Sequence, residues 1–362
     1  MLNRWIRYTL SPLLFPISLV YGLVVFIRNK LFDLKILKST EFDFPVISVG
    51  NITIGGTGKT PVVEYLLAML SSDYKIAMLS RGYKRNTKGF LLAGPGTQPS
   101  EIGDEPFQIF SKFSNVIIAV DSDRVSGIEQ LKMQVKELQV IVLDDAFQHR
   151  YVKPGISIVL VDYHRPVFKD FLLPFGTLRE GISGFRRAEI VMITKVPENI
   201  QWLEESFWRQ KLKLLPKQPL FFTRYEYGEL VPVYGTSESY ITIGQLSESH
   251  FKIMLLTGIA NPKPIADYLT SNGLEFIHLN YPDHHEYAQH DIKNIQKKFL
   301  QIQNENKAII TTEKDAVKLR VLNNLPPSFT DNIYYLPIRV KLLNGKEEVF
   351  NKQIIQFVNR EN

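Results

Sequence analysis

The stretch GNITIGGTGKTP, residues 50–61, decides the fold of this chain. It follows the apolar run PVISV, residues 45–49, and precedes the amphipathic run VVEYLLAML, residues 62–70. A strand, a glycine-rich loop, a Lys-Thr pair and a helix, in this order, are the context of a P-loop. The glycines let backbone N–H groups converge on phosphate oxygens, which bulky side chains would block. The stretch therefore predicts a phosphate-binding loop within an α/β fold.

The loop also assigns roles to individual side chains. We expect the Lys59 ammonium at the β- and γ-phosphates of a nucleotide and the Thr60 hydroxyl at Mg²⁺. One position departs from the common G-x-x-x-x-G-K-[ST] pattern, because Thr53 stands where a glycine is usual, and the dense glycine run after it compensates. The residues expected to bind ATP and its phosphates are Thr53, Gly55, Gly56, Thr57, Gly58, Lys59 and Thr60.

Beyond residue 40, short β-branched runs alternate with helical stretches, which indicates a parallel sheet covered on both faces. We expect an α/β fold with a P-loop NTPase-like, mostly parallel sheet, a smaller C-terminal α/β domain and an N-terminal apolar helix. The expected units are a membrane-associating segment (1–40), a P-loop domain (41–220), a β-hairpin-like linker (221–245) and the C-terminal domain (246–362). The expected strands are Pro45–Gly50, Ile76–Ser80, Val116–Val120, Val140–Asp144, Ile156–Val161, Ile190–Thr194, Ile253–Leu256, Glu275–Leu279, Ala308–Thr311 and Ile333–Val340.

A second motif lies about 85 residues after the P-loop, where VIVLDDAFQH occupies residues 140–149. An apolar strand that ends in two aspartates is typical of a Walker B element. Open parallel sheets bind ligands at the carboxyl ends of their strands. We therefore expect Asp144 or Asp145 to hold Mg²⁺ near Thr60, and the sequence leaves open which of the two binds it directly.

Composition and charge exclude several classes of protein. The 362 residues are 44% hydrophobic and 22% charged, an ordinary globular mixture, and the absence of Cys excludes disulfides, Cys-ligated metals and catalytic thiols. The net charge is +6, but residues 1–40 carry net +5 and the other 322 residues carry 37 basic and 36 acidic side chains. Because the body is nearly neutral, we expect no nucleic-acid partner.

The N-terminal segment is the most apolar part of the chain. Residues 8–27 carry no charge and are flanked by Arg4 and Arg7 on one side and by Arg28 and Lys30 on the other. Pro12 and Pro16 argue against one straight helix. Four interpretations compete: a cleaved signal peptide, a bilayer-spanning helix, a kinked helix lying in one leaflet, and a hydrophobic helix packed on the body. We favour the helix in one leaflet, with its basic flanks at anionic headgroups.

Further segments give the chain a resemblance to a known family. They are SRGY (80–83), GDEP (103–106), LLPFGTLRE (172–180), TGIANP (257–262), YPDHHEY (281–287) and TTEKDAVKL (311–319). Together with the P-loop and DDAFQH, this set resembles the tetraacyldisaccharide 4'-kinases, the lipid A 4'-kinases. The resemblance implies ATP-dependent phosphorylation of the 4'-hydroxyl of a tetraacylated glucosamine disaccharide 1-phosphate. It also implies a kinase at the cytoplasmic face of the inner membrane, with a smaller domain that closes over the nucleotide.

The acceptor hydroxyl has a high pKa, so a proton acceptor near the γ-phosphate helps its attack. Asp104 of GDEP is our candidate base, supported by the resemblance, and we expect burial to raise its pKa toward neutral. The alternative is a simple helix start, with acidic residues in the first turn. Asp104 is expected to pair with one of two adjacent histidines, His284 or His285. We count both histidines and Lys59 among the catalytic candidates.

Arg81, Arg124 and Arg179 are expected to bind substrate phosphate, because guanidinium groups suit phosphate oxygens, although surface salt bridges would explain them equally well. Glu180 either joins this substrate site or neutralises Arg179. Thr194-Lys195 is similar to the base-reading loop of GTPases, but Pro197-Glu198 follow and give no support for guanine binding.

Two other functions stay open at this stage. One is a soluble P-loop kinase of another hydroxylated small molecule, and the other is a nucleotide-switched membrane adaptor. For the favoured kinase, the expected partners are an anionic disaccharide lipid and the cytoplasmic leaflet of the inner membrane, and we expect a monomer.

Overall fold

The structure, a computed structural model, describes residues 11–197, 202–235, 241–322 and 325–361. Arg4, Arg7 and Glu198, which the sequence analysis uses, lie outside these residues, as do residues 236–240 of the expected linker. The strands of the described residues are β1 (Thr40–Glu41), β2 (Val46–Asn51), β3 (Ile76–Ser80), β4 (Leu91–Leu92), β5 (Ile117–Val120), β6 (Val140–Asp144), β7 (Val152–Lys153), β8 (Ile156–Asp162), β9 (Ile190–Thr194), β10 (Leu220–Tyr227), β11 (Val231–Pro232), β12 (Lys252–Thr257), β13 (Phe276–Asn280), β14 (Lys307–Thr312), β15 (Ile333–Leu336) and β16 (Ile338–Leu342).

Helices connect most of these strands. The α-helices of the described residues are α1 (Ser11–Asp33), α2 (Lys59–Leu70), α3 (Pro99–Ile102), α4 (Asp104–Lys112), α5 (Arg124–Gln134), α6 (Trp202–Leu212), α7 (Ile243–Glu248), α8 (Lys263–Ser271), α9 (Gln289–Leu300), α10 (Glu313–Arg320), α11 (Pro327–Thr330) and α12 (Glu347–Glu361). Two 3₁₀ helices, Val167–Lys169 and Ile182–Arg187, lie between β8 and β9.

Within the described residues, the large sheet has nine strands in the order β16-β10-β9-β8-β2-β6-β3-β5-β4. The strands from β10 to β5 in this order run parallel, and β16 and β4 pair antiparallel at the two edges. Every residue of β2 and β8 is buried, as expected for parallel strands covered on both faces. This sheet and its helices form the P-loop lobe, residues 40–227 and 338–361. The expected fold class is confirmed.

Alternating side chains place the core of the P-loop lobe on both faces of the sheet. Ile47 of β2 packs with Val62 and Leu66 of α2 on one face. Val46, its neighbour in the same strand, packs with Ile128 of α5 on the other face. Because successive side chains of a strand point to opposite faces, a continuous β-branched run packs against the helices on both faces of the sheet.

A second sheet, which has five strands in the described part of the chain, in the order β11-β15-β14-β12-β13, forms the small lobe, residues 230–336. The four strands from β15 to β13 in this order run parallel. Leu256 of β12 packs toward Ile295 of α9, and Leu255 packs on the opposite face toward Leu269 of α8. The second α/β pattern expected from the sequence is therefore present.

One expectation about strands is wrong, and the structure modifies a second. The expected strand Ile333–Val340 is split at Pro337, which lacks the N–H that a ladder needs, and β15 and β16 belong to different sheets. The β-hairpin-like linker expected at residues 221–245 is, within its described part, divided between β10 in the large sheet and β11 in the small sheet, and an isolated antiparallel bridge, Leu230–Ile241, pairs the segment with itself. The chain therefore crosses between the lobes twice, and α12 packs back on the P-loop lobe through Phe350 and Ile354.

Helix α1 continues through Pro16 as one helix, and one of its sides docks on the P-loop lobe. Ser18 Oγ donates to the Leu172 carbonyl at 2.8 Å, and Tyr21 Oη donates to the Arg179 carbonyl at 2.8 Å. Near its end, Arg150 contacts both the Asn29 carbonyl and the Asp33 carboxylate at 2.8 Å. Large apolar side chains that α1 leaves exposed are Leu13, Phe15, Ile17, Leu19, Val20, Leu23, Val24, Phe26 and Ile27.

Candidate active site

The P-loop joins β2 to α2 and needs glycine at two positions. Gly55 and Gly58 have φ angles of +96° and +89°, which L side chains rarely adopt. A Cβ atom at Gly58 would also lie 2.7 Å from Tyr225 Oη, so the loop has no room for a larger residue. Helix α2 begins immediately afterwards, at Lys59.

The structure explains why Thr53 replaces the usual glycine. The first residues of the loop pair with the segment that follows residue 171, because Ile54 N–H donates to the Thr177 carbonyl at 2.8 Å and Arg179 N–H donates to the Ile52 carbonyl at 2.7 Å. Thr53 itself forms an antiparallel bridge with Leu178 and is buried. The loop therefore starts as a short extended segment, in which a β-branched residue is favourable.

Asn51, at the end of β2, was not singled out by the sequence analysis. Its buried Nδ2 donates to Thr57 Oγ1 at 2.7 Å and lies 3.3 Å from Thr53 Oγ1. The amide thus links the two ends of the loop. A polar residue at the last position of the strand, directly before the glycine-rich loop, was the signal available in the sequence.

The acidic end of β6 lies beside this loop. Lys59 Nζ is 3.5 Å from Asp145 Oδ1, and Arg179 Nη1 is 3.0 Å from the same oxygen. Burial favours the neutral acid, but the Lys59 and Arg179 cations outweigh it and lower the pKa of Asp145. Asp144 is buried, accepts a hydrogen bond from Ser80 Oγ at 3.2 Å, and has its pKa raised to about 7, chiefly by burial and then by the nearby Glu105 and Asp145 carboxylates.

The donor set fits Mg²⁺ bound together with nucleotide phosphates. Asp144 Oδ1 is buried and has no hydrogen-bond partner within the described residues, as expected of an oxygen that serves as a cation ligand. The described residues contain no group of three or more His, Cys, Asp or Glu side chains that could hold a metal alone. Mg²⁺ is commonly bound by one or two carboxylates plus substrate phosphates, and such a site needs no larger cluster.

The two lobes meet at Asp104, the first residue of α4. Its Oδ2 lies 3.1 Å from His284 Nδ1 and 3.1 Å from Lys318 Nζ, and both partners belong to the small lobe. We expected burial to raise the pKa of Asp104, and that expectation is wrong. Burial does raise the pKa, but the His284 hydrogen bond and the Lys318 ammonium outweigh it and bring the pKa to about 2.

The neighbours of His284 also assign its tautomer. Lys314 Nζ lies 3.3 Å from His284 Nε2, and an ammonium can only donate. Nε2 is therefore the acceptor, and Nδ1 carries the hydrogen that is donated to Asp104. Within the described residues, both partners of Asp104 contact Oδ2, and Oδ1 has no hydrogen-bond partner.

His285, the other candidate, faces a different group. Its Nε2 lies 3.0 Å from Asp291 Oδ2, and its ring stacks on Tyr281 with the centroids 4.5 Å apart. The structure therefore brings one of the two predicted histidines to Asp104 and turns the other toward the start of α9.

Lys314 and Lys318 are site residues that the sequence reasoning missed. They lie four residues apart on α10, within the TTEKDAVKL segment, and so share one face of the helix. Two lysines at this spacing in a segment already noted for the resemblance were the available signal. Asp104, the partner of Lys318 in α4, is about 200 residues away in the sequence, and only the fold brings the two together.

The candidate phosphate-binding residues have unequal surroundings. Arg81 is exposed at the end of β3, whereas Arg124 is buried against the backbone of Ser122 and Asp144, and burial lowers its pKa to about 10. Arg179 contacts Asp145 and remains partly exposed. Glu180 is buried, and its closest ionic partner is Arg187, at 2.8 Å, which the sequence analysis did not name. A substrate contact by any of the predicted residues stays a prediction.

Comparison with known proteins identifies the family. A family model described as tetraacyldisaccharide-1-P 4'-kinase matches residues 10–359. The tetraacyldisaccharide 4'-kinase of Bacteroides thetaiotaomicron is 46% identical over 96% of this chain and 93% of its own length. The enzyme of the same name from Flavobacterium johnsoniae is 45% identical over 96% of this chain and 97% of its own length. A crystal structure of LpxK from Aquifex aeolicus in complex with ATP is 28% identical, has a TM-score of 0.74, and is matched over 98% of this chain and 99% of its own. The chain belongs to the tetraacyldisaccharide-1-P 4'-kinase family.

Proposed function

We propose that this protein transfers the γ-phosphate of ATP to the 4'-hydroxyl of a tetraacylated glucosamine disaccharide 1-phosphate, a lipid A precursor. The membership of the family supports the reaction. The observation that carries the proposal is the contact of Asp104 with His284, because it joins a candidate base on one lobe to its partner on the other. The Asp104 pair also lies near the Walker B carboxylates, since Glu105, the next residue, acts electrostatically on Asp144.

In this mechanism the P-loop binds the phosphates and Lys59 holds the β- and γ-phosphate charge. Asp144, Asp145 and Thr60 would hold Mg²⁺, which when bound neutralises phosphate charge. Asp104 is ionised at neutral pH, since its pKa is about 2, and its free Oδ1 accepts the proton of the attacking hydroxyl. His284 fixes the carboxylate through Oδ2. Such a weak base suits a loose phosphoryl-transfer transition state, in which the proton moves late.

Three variants with the lipid acceptor test the proposal. The purified protein is incubated with Mg²⁺, ATP and the disaccharide lipid in mixed micelles, and the product is measured by mass spectrometry. Asp104→Asn keeps the shape of the side chain and should lower kcat by about 10²–10⁴-fold, the usual contribution of a general base. The KM for ATP should change little, whereas Lys59→Ala should abolish transfer. Lys298→Met, which replaces an exposed lysine of α9, is the control for loss of a lysine.

The outcome also separates the alternative functions. Steady ATP hydrolysis without any phosphorylated lipid would favour a nucleotide-switched adaptor. Transfer to a small soluble acceptor, unimpaired by removal of residues 1–30, would favour another P-loop kinase. Normal kcat in Asp104→Asn would remove Asp104 as the base while leaving the overall reaction intact.

We propose further that α1 lies in one leaflet of the cytoplasmic face of the inner membrane. Among the described residues, one helix, Pro12–Asp33, is long and apolar enough to cross a membrane. A crossing helix would be surrounded by lipid, but one side of α1 is already in contact with the P-loop lobe at Ser18, Tyr21 and Asn29. Its exposed apolar side and the neighbouring exposed Phe171 support a helix lying along the surface.

Vesicle binding tests this placement. Leu23→Ser with Val24→Ser removes two exposed apolar side chains of α1 and should weaken sedimentation with vesicles that contain an anionic lipid. Met133→Ser removes an apolar side chain on α5 that is more exposed than either of these two, and it should leave sedimentation unchanged. Equal binding by all three proteins would contradict the proposal. Because the chain lacks cysteine, Leu23→Cys also provides a unique site for a fluorophore whose quenching by acyl-chain quenchers reports insertion.

A further inference from the structure

The outer side of the P-loop rests on residues at the carboxyl ends of β8 and β9. Thr194 Oγ1 donates to the Thr57 carbonyl at 2.7 Å. Lys195 Nζ donates to the carbonyl of Gly56 and also lies 2.6 Å from Asp162 Oδ2. Two adjacent side chains therefore hold two successive carbonyl groups of the loop.

Because of the geometry of the peptide bond, these contacts also determine the direction of two N–H groups. A trans peptide is planar, and its C=O and N–H point in opposite directions. The Gly56 carbonyl belongs to the same peptide unit as the Thr57 N–H, and the Thr57 carbonyl to the same unit as the Gly58 N–H. When Lys195 and Thr194 draw both carbonyls outward, both N–H groups turn toward the concave side of the loop.

These two N–H groups have the properties of an empty anion site. Thr57 and Gly58 are buried, and their N–H groups have no hydrogen-bond acceptor within the described residues. Buried backbone donors without a partner are rare in folded proteins, which points to a ligand at this position. Successive N–H groups that end in a left-handed residue form a nest for anions, and Gly58 has a left-handed conformation.

We propose that Thr194 and Lys195 are positioning residues that set the Thr57 and Gly58 N–H groups toward a nucleotide phosphate. Asp162 holds the Lys195 ammonium from the sheet side, and its side chain is buried. Asn51 fixes the Thr57 side chain from within the loop. The proposal assigns a task to the Thr194-Lys195 pair, which gave no support for guanine binding in the sequence. It rests on the proposed function in one respect, that ATP binds at this P-loop.

Nucleotide binding separates this role from a general effect on folding. Thr194→Val removes the hydroxyl at nearly constant volume, and Thr194→Ser retains it. Lys195→Met removes the ammonium, and Lys195→Arg retains a donor. Lys213→Met is the matched control, because Lys213 is an exposed lysine with a left-handed φ of +53°, close to the +59° of Lys195.

We expect the dissociation constant of ADP, measured by calorimetry, to rise about 2- to 10-fold in Thr194→Val and Lys195→Met, the size of one net hydrogen bond. The KM for ATP should rise with it, while the KM for the lipid acceptor stays at the wild-type value. Thr194→Ser and Lys195→Arg should recover most of the affinity, and Lys213→Met should match the wild type.

Two results would overturn the inference. One is weaker ADP binding in Lys195→Met with wild-type binding in Thr194→Val, because the lysine would then act as a charge and not through the carbonyls. The other is equal loss of affinity for ADP and for the lipid, which a disordered loop or lobe would produce. ADP binding is measured without an acceptor, so wild-type protein that binds ADP but forms no lipid product would defeat the proposed function and leave this test valid.

Discussion

Lys318 offers a sharp test of how the small lobe tunes the candidate base. Its Nζ lies 3.1 Å from Asp104 Oδ2, and its side chain is only 7% exposed. Burial raises the pKa of Asp104, and the contacts with His284 and Lys318 reverse this effect and hold it at about 2. An opposite charge at such a distance lowers a carboxyl pKa by about 1–3 units. We therefore expect Lys318→Met to raise the pKa of Asp104 to about 3–5, equivalent to about 1.4–4 kcal/mol.

The assay is the rate of lipid phosphorylation at saturating ATP and acceptor, from about pH 3 to about pH 9. A base loses activity as it becomes protonated, so the acid limb of the profile should move upward by about 1–3 units in Lys318→Met. Because the wild-type limb is centred near pH 2, the wild-type rate should fall by only about a tenth at about pH 3, whereas Lys318→Met should lose about half of its rate or more there. At about pH 8 the carboxyl is ionised in both proteins, and kcat should stay close to the wild-type value. Lys318→Arg retains a cation and should restore the acid limb.

One control and two alternative outcomes make the result decisive. Lys298→Met removes an exposed lysine of the same lobe and should leave the profile unchanged. A loss of rate that is uniform across the pH range would show that Lys318 holds the lobes together without tuning Asp104. An acid limb that does not move, in a protein that still folds, would refute the electrostatic reasoning itself.

Two further predictions concern stability. Burial and the Glu313 carboxylate raise the pKa of the buried Glu64 from 4.5 to about 7. The folded state therefore retains a proton that the unfolded state releases, so stability falls as pH rises from 4.5 toward 7. Glu64→Gln should flatten this part of a plot of melting temperature against pH, removing up to about 3 kcal/mol of pH dependence, and an unchanged slope would contradict the assignment. Separately, a Cβ atom at Gly50 would lie 2.6 Å from Phe147 Cβ, so Gly50→Ala should lower the free energy of unfolding by about 1–3 kcal/mol in denaturant titrations. Gly94→Ala, with open space around its Cβ position, should have a much smaller effect.

Most of the fold follows from local patterns in the sequence. The strands Ile76–Ser80, Val140–Asp144 and Ile190–Thr194 have the predicted bounds, because β-branched runs between helical stretches are a strong signal. Where the prediction failed, the deciding contact was distant in sequence. Nothing near Pro337 indicates that the residues before and after it join different sheets, since their partners are β14 and β10.

For the candidate site, too, local motifs could be predicted and contacts between distant parts of the chain could not. Sequence reasoning singled out the P-loop, the acidic strand end and Asp104 as candidates, because each is a short motif with its own chemistry, and their roles stay predictions. It failed on the pKa of Asp104, because local reasoning sees burial but not the His284 hydrogen bond and the Lys318 ammonium that the small lobe supplies. It also missed Asn51, because the hydrogen bond from its side chain to Thr57 depends on the folded conformation of the P-loop, which local sequence patterns do not predict.

Thr53 shows how a departure from a motif can follow from the site as a whole. The common pattern has glycine there because the chain usually turns at once, but here the loop first pairs with residues 177–179. The last of those residues, Arg179, shares Asp145 with the P-loop lysine, Lys59. Tyr21 of α1 donates to the carbonyl of Arg179, and Ser18 donates to the carbonyl of Leu172, a few residues earlier. A glycine at position 53 would make the extended start of the loop less stable, since glycine loses the most conformational freedom on ordering. The threonine thus belongs to a pairing that connects the apolar helix, the acidic strand end and the phosphate loop through one continuous stretch of backbone.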